Sequence, residues 1–334
     1  MSTRAFTVGL MLVAGSVGKA DDPAAVAVKA LGPGVNLGNA LDAPSEGAWG
    51  LTVKPAYLTA IKAAGFGHVR LPVKWSAHAA KEPPYTIDPT FAKRVDEIVD
   101  QATAAGLGVV LNVHHYDEIH KDPAGHKDRL LGLWKQIADR HKGRPGSVLF
   151  EVMNEPTHEW KPAVWNELAA EAVKVIRATN PDRVVVVGPV NWNGFRALPS
   201  LKLPEADRRL AATFHYYEPF EFTHQGASWS KGSDKWLGRT WTGTPDQRKK
   251  LDADFDAAAK WAAQTGRPLY LGEFGAYSKA PLESRAAWTR AVREAADRRG
   301  FGWAYWEFGS GFGVYDPATD QWREPLLKAL ISGK

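Results

Sequence analysis

Eight short runs rich in Val, Ile, Leu and aromatic residues punctuate the chain, and their spacing limits the fold more than any other feature. They lie at Gly34 to Gly38, His68 to Val73, Gly108 to His114, Val148 to Glu155, Val184 to Pro189, Leu210 to Tyr217, Pro268 to Gly275 and Phe301 to Phe308. Five of the seven start-to-start offsets fall between 33 and 40 residues, the length of a strand, a loop and a helix. The runs are almost continuously apolar, as strands covered on both faces must be. Helix signals fill the intervals at Pro55 to Ala64, Asp88 to Ala105 and His126 to Lys142, then at Pro162 to Thr179, Pro245 to Thr265 and Leu282 to Arg299. Gly65, Gly106 and Gly143 stand where the first three helices would close on left-handed caps. This α/β repeat predicts a closed (β/α)8 TIM barrel, one domain over residues 21–334. The rival, a doubly wound open sheet, usually carries a Gly-rich phosphate loop after its first strand, and Gly34-Val35-Asn36-Leu37-Gly38-Asn39 lacks GxGxxG spacing.

Ahead of the first run, Arg4 precedes an apolar stretch from Phe6 to Gly18 and a small-x-small site at Gly18-Lys19-Ala20. That pattern predicts a secretory signal peptide over residues 1–20 and a secreted protein, extracellular or periplasmic. No later stretch is apolar for long enough to cross a membrane, so a soluble mature chain with no membrane association is expected. The absence of cysteine removes a disulfide scaffold and a lipid-modified amino-terminal cysteine. Formal charge is +5, with the basic residues scattered in pairs such as Arg208-Arg209, so no stripe exists to hold nucleic acid. A monomer is expected. The 14 Trp, 9 Tyr and 13 Phe offer flat apolar faces with polar edges, suited to stacking on sugar rings as well as to filling core.

A barrel places its chemistry at the carboxyl ends of its strands. Asn39 follows the first run and Arg70 lies in the second. His114 and His115 end the third, Asn154 and Glu155 the fourth, and His215 and Tyr217 the sixth. Glu273 ends the seventh and Trp306 with Glu307 the eighth. A carboxylate at the end of a buried strand needs a partner or a task. Glu155 and Glu273, on strands facing each other across the barrel, suggest a pair that cleaves glycosidic bonds, one protonating the departing oxygen and the other attacking or stabilising the sugar carbon. A gap of roughly 5 to 5.5 Å would mean retention of configuration, and one near 9 Å inversion.

The stretches Phe150-Glu151-Val152-Met153-Asn154-Glu155-Pro156 and Leu271-Gly272-Glu273-Phe274-Gly275 closely resemble glycoside hydrolase family 5. Asn36-Leu37-Gly38-Asn39-Ala40-Leu41, His114-His115-Tyr116, the run from His215 to Ala227 and Trp303-Ala304-Tyr305-Trp306-Glu307-Phe308 are similar to its bacterial endo-β-1,4-glucanase and β-mannanase branch. The resemblance spans essentially the whole chain after residue 20. It implies double displacement on a β-1,4-glucan, with Glu155 as acid/base and Glu273 as nucleophile. It implies further that Arg70 and Tyr217 contact the nucleophile, that Asn154 binds the sugar 2-hydroxyl and that Trp306 is the platform under the cleaved sugar.

His224 and Trp229, in the long loop after the sixth run with Trp236 and Trp241, are expected to shape substrate binding. Asn39, Glu46 and Trp49 are expected to form the opposite wall. Adjacent strand residues point to opposite faces, so His114 and His115 both reach the cleft only if the backbone twists there, and one of them could instead be a packing residue. With Asp117, Glu118 and His120 they mimic a metal cluster, but HExxH-type spacing is absent and the resemblance implies neither metal nor cofactor. Alternatives to a glucanase are a β-1,4-mannanase on the same scaffold, a metal-dependent hydrolase and a catalytically silent carbohydrate-binding barrel. No linker or carbohydrate-binding module is evident, so soluble polymers are expected to be better substrates than crystalline cellulose.

Overall fold

A computed structural model of the chain describes residues 22–331. The expected signal peptide at residues 1–20 lies outside the described residues. Eight parallel strands close into a barrel in chain order, the first pairing with the eighth. They are β1 (Pro33–Asn36), β2 (His68–Leu71), β3 (Gly108–Asn112), β4 (Val148–Glu151), β5 (Val185–Val187), β6 (Leu210–Tyr216), β7 (Leu269–Phe274) and β8 (Gly302–Tyr305). Most of these are shorter than the apolar runs predict. The fourth run reads as strand to Glu155, yet the strand ends at Glu151, and beyond it the Val152 amide, donating to the Val186 carbonyl, and the Asn154 amide, donating to the Val113 carbonyl, continue the pairing. What reads as strand end is therefore the start of the loops that carry the chemistry.

Proline and a polar residue before it set most helix starts. Asp22, Asp88, Asp122 and Thr244 accept backbone N–H groups at the heads of helices Pro23–Leu31, Pro89–Ala104, Pro123–Arg140 and Pro245–Thr265, each with Pro first, where its missing N–H costs nothing. Helices Pro55–Ala64, Pro162–Arg177, Leu282–Arg298 and Glu324–Leu330 complete the outer layer, and a 3-10 segment at Phe195–Ser200 stands in for a helix between β5 and β6. Gly65 and Gly106 take positive φ as expected. Gly143 does not close its helix. That helix ends at Arg140, with the buried His141 as cap, its N–H donating to the Ile137 carbonyl. Among the described residues no helix is long and apolar enough to cross a membrane.

The unpredicted first helix, Pro23–Leu31, packs Ala24, Val28 and Leu31 against Val110, Leu149, Val186, Ala211, Tyr270 and Ala304 and closes the amino-terminal mouth of the barrel. Outward-facing Val69, Leu71, Val109, Leu111, Phe150 and Leu271 belong to the larger core shared with the helices. Inside the barrel the apolar plug gives way to a His68–Tyr270 hydrogen bond of 2.9 Å, and then to Arg70. Gly34 makes this layering possible, because a Cβ there would lie 2.2 Å from the His68 ring. Residues of one strand face thus pass from apolar to polar along the axis, and the polar end is the carboxyl end.

Candidate active site

Arg70 is the hub of the barrel interior. Its Nε and Nη2 donate to the two oxygens of Glu151 at 2.7 and 2.8 Å, a bidentate pair. Nη1 donates to Glu273 at 2.7 Å and to Asn36 Oδ1 at 2.8 Å, and Nη2 also donates to Asn154 Oδ1 at 2.7 Å. All five guanidinium N–H groups are used, with the side chain fully buried. Arg70 therefore braces the barrel through Glu151 and also charges the floor beneath Glu273.

Glu273 accepts a second bond, from the Tyr217 hydroxyl at 2.9 Å. Glu155 meets His215 Nδ1 at 2.7 Å, and the same nitrogen lies 3.6 Å from Glu273. One carboxylate oxygen of Glu155, one of Glu273 and a nitrogen of His215 all lie within 4.8 Å of one another. That separation fits the roughly 5 to 5.5 Å of retaining glycosidases rather than the wider inverting range. Burial pushes Glu155 up to about 8, only partly offset by Arg70. Burial also raises Glu273, but His215, Arg70 and the Tyr217 hydroxyl oppose it. Burial lowers His215 to about 4, so its imidazole is neutral. The two carboxyls are thus set apart by their surroundings, one without a guanidinium partner and one on top of it.

Backbone geometry aims these groups. Asn39, His115 and Glu155, each just past a strand, have φ of 63°, 47° and 46°. A left-handed residue breaks the alternation of a strand, and for His115 it resolves the question of direction: both histidines line the cleft. His114 stacks parallel to Trp306, with ring centroids 5.8 Å apart. Gly38 lies against the Trp306 ring, where a Cβ would come within 2.7 Å of it.

The cleft holds about 1340 Å³ and is lined by Asn39, Trp49, His114, His115, Asn154, Glu155, His215, Tyr217, His224, Trp229, Glu273 and Trp306. Of the residues expected at the site, Arg70 lies beneath the floor and Glu46 does not belong. Glu46 accepts from Arg94 and from the Val53 amide, pinned to the flank of the barrel where a cation claims it. Asp42 stands nearer the cleft instead, buried and accepting the amides of Asn39 and Ala40. In the long loop, Trp241 is buried and Trp236 packs edge-on against Phe220, and neither lines the cleft. The suspected metal cluster disperses, since Asp117 pairs with Lys74 and His120 accepts from the Trp160 indole.

Sequence reasoning misses Glu151, Trp192 and Phe312. Glu151 is the one charged residue inside an otherwise apolar run, four positions before Glu155, and that signal is present in the sequence. Trp192 sits among Asn191, Trp192 and Asn193, all left-handed, at the carboxyl end of β5, and is 54% exposed on the rim. Phe312 is placed by the loop after β8, whose fold no local pattern announces.

The chain matches the model of the cellulase family, glycosyl hydrolase family 5, over residues 33–311. It is 37% identical to Endoglucanase H of Acetivibrio thermocellus over 320 residues, 94% of this chain and 34% of that protein. The chain thus spans about a third of that relative's length. Solved structures of Thermotoga maritima Cel5A with mannotriose and with cellobiose are each 50% identical with TM-score 0.91, covering 92% of this chain and all of theirs. With the paired carboxylates, the barrel and the matched sequence in agreement, this chain belongs to glycosyl hydrolase family 5, the cellulase family.

Proposed function

We propose that the protein is an endo-β-1,4-glucanase that hydrolyses its polymer with retention of configuration. The observation that carries this reading is the pair of carboxyls across the cleft, with an oxygen of each within 4.8 Å, one pushed up to about 8 and the other held by Arg70 and Tyr217. Glu273 attacks the anomeric carbon while Glu155 protonates the departing oxygen, giving a glycosyl ester on Glu273. Glu155, now a carboxylate, then takes a proton from the water that attacks the ester. Tyr217 and Arg70 keep the nucleophile ionised and aimed. Asn154, held through its Oδ1 by Arg70, leaves its amide nitrogen for the sugar 2-hydroxyl, and Trp306 lies beneath the ring.

A β-mannanase activity in the same cleft is the second reading, supported by the likeness to a Cel5A structure that carries mannotriose as well as one that carries cellobiose. The leader pattern of residues 1–20 supports export, and the absence of any basic stripe supports a polysaccharide as the partner. We expect a monomer in solution. The test is reducing-end release from carboxymethyl cellulose and from β-mannan by the wild type and by Glu273→Ala, with folding matched by circular dichroism. Cutting by the wild type alone supports the reading, and the preferred polymer names the substrate. No release by either protein would leave a carbohydrate-binding barrel.

A further inference from the structure

We propose that Asn193 is a positioning residue for the acid: it holds His215 in the tautomer with its proton on Nδ1, and that proton fixes Glu155. Asn193 is fully buried behind the ring, with its Nδ2 at 3.4 Å from His215 Nε2. No other described side chain bonds that nitrogen. The opposite ring nitrogen, Nδ1, lies 2.7 Å from Glu155 Oε1 and 3.6 Å from Glu273 Oε2. Asn193, His215 and Glu155 thus form a chain of contacts that ends in the cleft.

A neutral imidazole carries one ring proton, and its surroundings choose the nitrogen. Nδ1 faces two carboxyl groups. A lone pair there would point at the charge of Glu273 and, once Glu155 has given up its proton, at a second negative charge. A proton there meets an acceptor in both states. Nε2 is then a bare acceptor that needs a donor, and only the NH2 end of the Asn193 amide can supply one. The amide oxygen has no partner among the described residues, so the ring decides which end of the amide faces it. The reverse arrangement would satisfy that oxygen but would tie the Glu155 hydrogen to Nδ1 and withhold it from substrate. With Nδ1–H donating to Oε1, the Glu155 hydrogen sits on Oε2, which bonds no described residue. A separation of 3.4 Å is long for the Asn193 bond, as is common at catalytic sites before substrate binds.

The backbone delivers this amide. Asn191, Trp192 and Asn193 run through the left-handed region with φ of 60°, 56° and 52°, a conformation that asparagine tolerates better than most residues. Gly194 then pairs with His215 in an isolated parallel bridge, which ties the loop to β6. Gly188 leaves room for the amide, since a Cβ there would lie 2.2 Å from Asn193 Oδ1. Glu151, Glu155, Glu273, Arg70 and His114 are the titratable groups around His215, and none of them bonds Nε2. Thr213 shares with Nε2 the space over Gly272, but its hydroxyl has no partner among the described residues.

The positioning role rests on the function proposed above, whereas the tautomer does not. Heteronuclear NMR of the histidine ring nitrogens in the full chain, with His215 assigned by its loss in His215→Gln, reads the tautomer without any activity. Near pH 7 a proton on Nδ1 and a bare Nε2 are expected, unchanged in Thr213→Val. Asn193→Asp keeps the shape but offers only acceptors, and should move a proton onto Nε2. Kinetics then read the role. Asn193→Ala should lower kcat/KM on carboxymethyl cellulose about tenfold or more, and on dinitrophenyl cellobioside by less than about twofold, because an acidic leaving group needs no proton from Glu155. A merely structural role would lower both alike. A protonated Nε2 in the wild type, a tautomer that follows Thr213 rather than Asn193, or equal losses on both substrates would overturn the proposal. The NMR of the wild type and of Asn193→Asp decides the matter should Asn193→Ala fail to fold. A wild type that cuts no substrate would strike the function proposed above, while the NMR would still decide the tautomer.

Discussion

Arg70 Nη1 lies 2.7 Å from Glu273 Oε1, and the same guanidinium holds Glu151 by a two-bonded fork on its other edge. Replacing it with methionine leaves two buried carboxylates without a cation. Breaking a buried pair in this way costs about 3–5 kcal/mol. Arg70→Met is therefore expected to lose that much stability in urea unfolding and to lose measurable hydrolysis. Arg70→Lys restores charge without the planar fork, so it should recover part of the stability and little of kcat/KM. Near-native unfolding of Arg70→Met would mean that water reaches the network.

The raised carboxyl of Glu155 fixes the direction of the pH profile. Its protonated form is the competent one in the first step, so activity on polymer should be present below about 8 and fall as pH rises through it. An aryl cellobioside with a strongly acidic leaving group needs no such proton, and its burst phase should lack the alkaline limb. The same shift links to stability. Between the ordinary carboxyl value of 4.5 and about 8 the folded chain binds a proton that the unfolded chain releases, so stability should decline across that window as pH rises. A stability that climbs from pH 5 to pH 8 would contradict the burial of this group.

Roles of the two glutamates separate by chemical rescue. Glu273→Ala removes the nucleophile, and azide entering from its side should give a glycosyl azide of inverted configuration. Glu155→Ala keeps the nucleophile, and azide replacing water in the second step should give the retained azide. Nuclear magnetic resonance of the products distinguishes the two, and the same anomer from both variants would exclude the assignment.

Much of this architecture is legible in the sequence because the barrel imposes a period. Apolar runs, most of them at intervals of 33 to 40 residues, mark the strands, and the rule that chemistry gathers at their carboxyl ends points to Asn154, Glu155, Glu273 and Trp306. What is not legible depends on loop geometry and on contacts distant in sequence. Glu46 reads as a cleft residue until Arg94, 48 positions away, is seen to hold it. Which of His114 and His115 reaches the cleft stays open until the φ of 47° at His115 is known. The amino-terminal helix escapes the pattern because its nine residues lie ahead of the first strand and outside the repeat.

Trp192 tests the rim of the cleft. It is 54% exposed, its ring meets His158 edge-on at 5.9 Å, and it lines the cavity that also holds Glu155. If it stacks on a sugar unit, Trp192→Ala should raise KM for long oligosaccharides about two- to tenfold, equivalent to roughly 0.5–1.5 kcal/mol for one aromatic contact, with kcat and folding unchanged. Equal effects on a short aryl glycoside would place its influence elsewhere.

Glu307 offers the last test, because it acts at a distance through the backbone. Its buried carboxylate accepts the amides of Gly309, Ser310 and Phe312, curling the loop after β8 back on itself. Phe312 is then held from its other side, its carbonyl accepting from the Tyr305 hydroxyl at 2.8 Å and from Arg285 at 2.9 Å. The ring so fixed lies 6.2 Å from Tyr217, which bonds the nucleophile, and 6.2 Å from Trp229 on the cleft wall. Glu307→Gln turns an NH2 donor toward amide donors and leaves one or two of them unpaired, at about 1–3 kcal/mol each. The expected result is a lower melting temperature and a higher KM, with the alkaline limb of the pH profile unmoved because Glu155 is untouched. A loss of kcat with unchanged KM would instead mean that the loop acts through Tyr217 on the nucleophile, and Phe312→Leu, which keeps the volume and removes the ring, would then reproduce it.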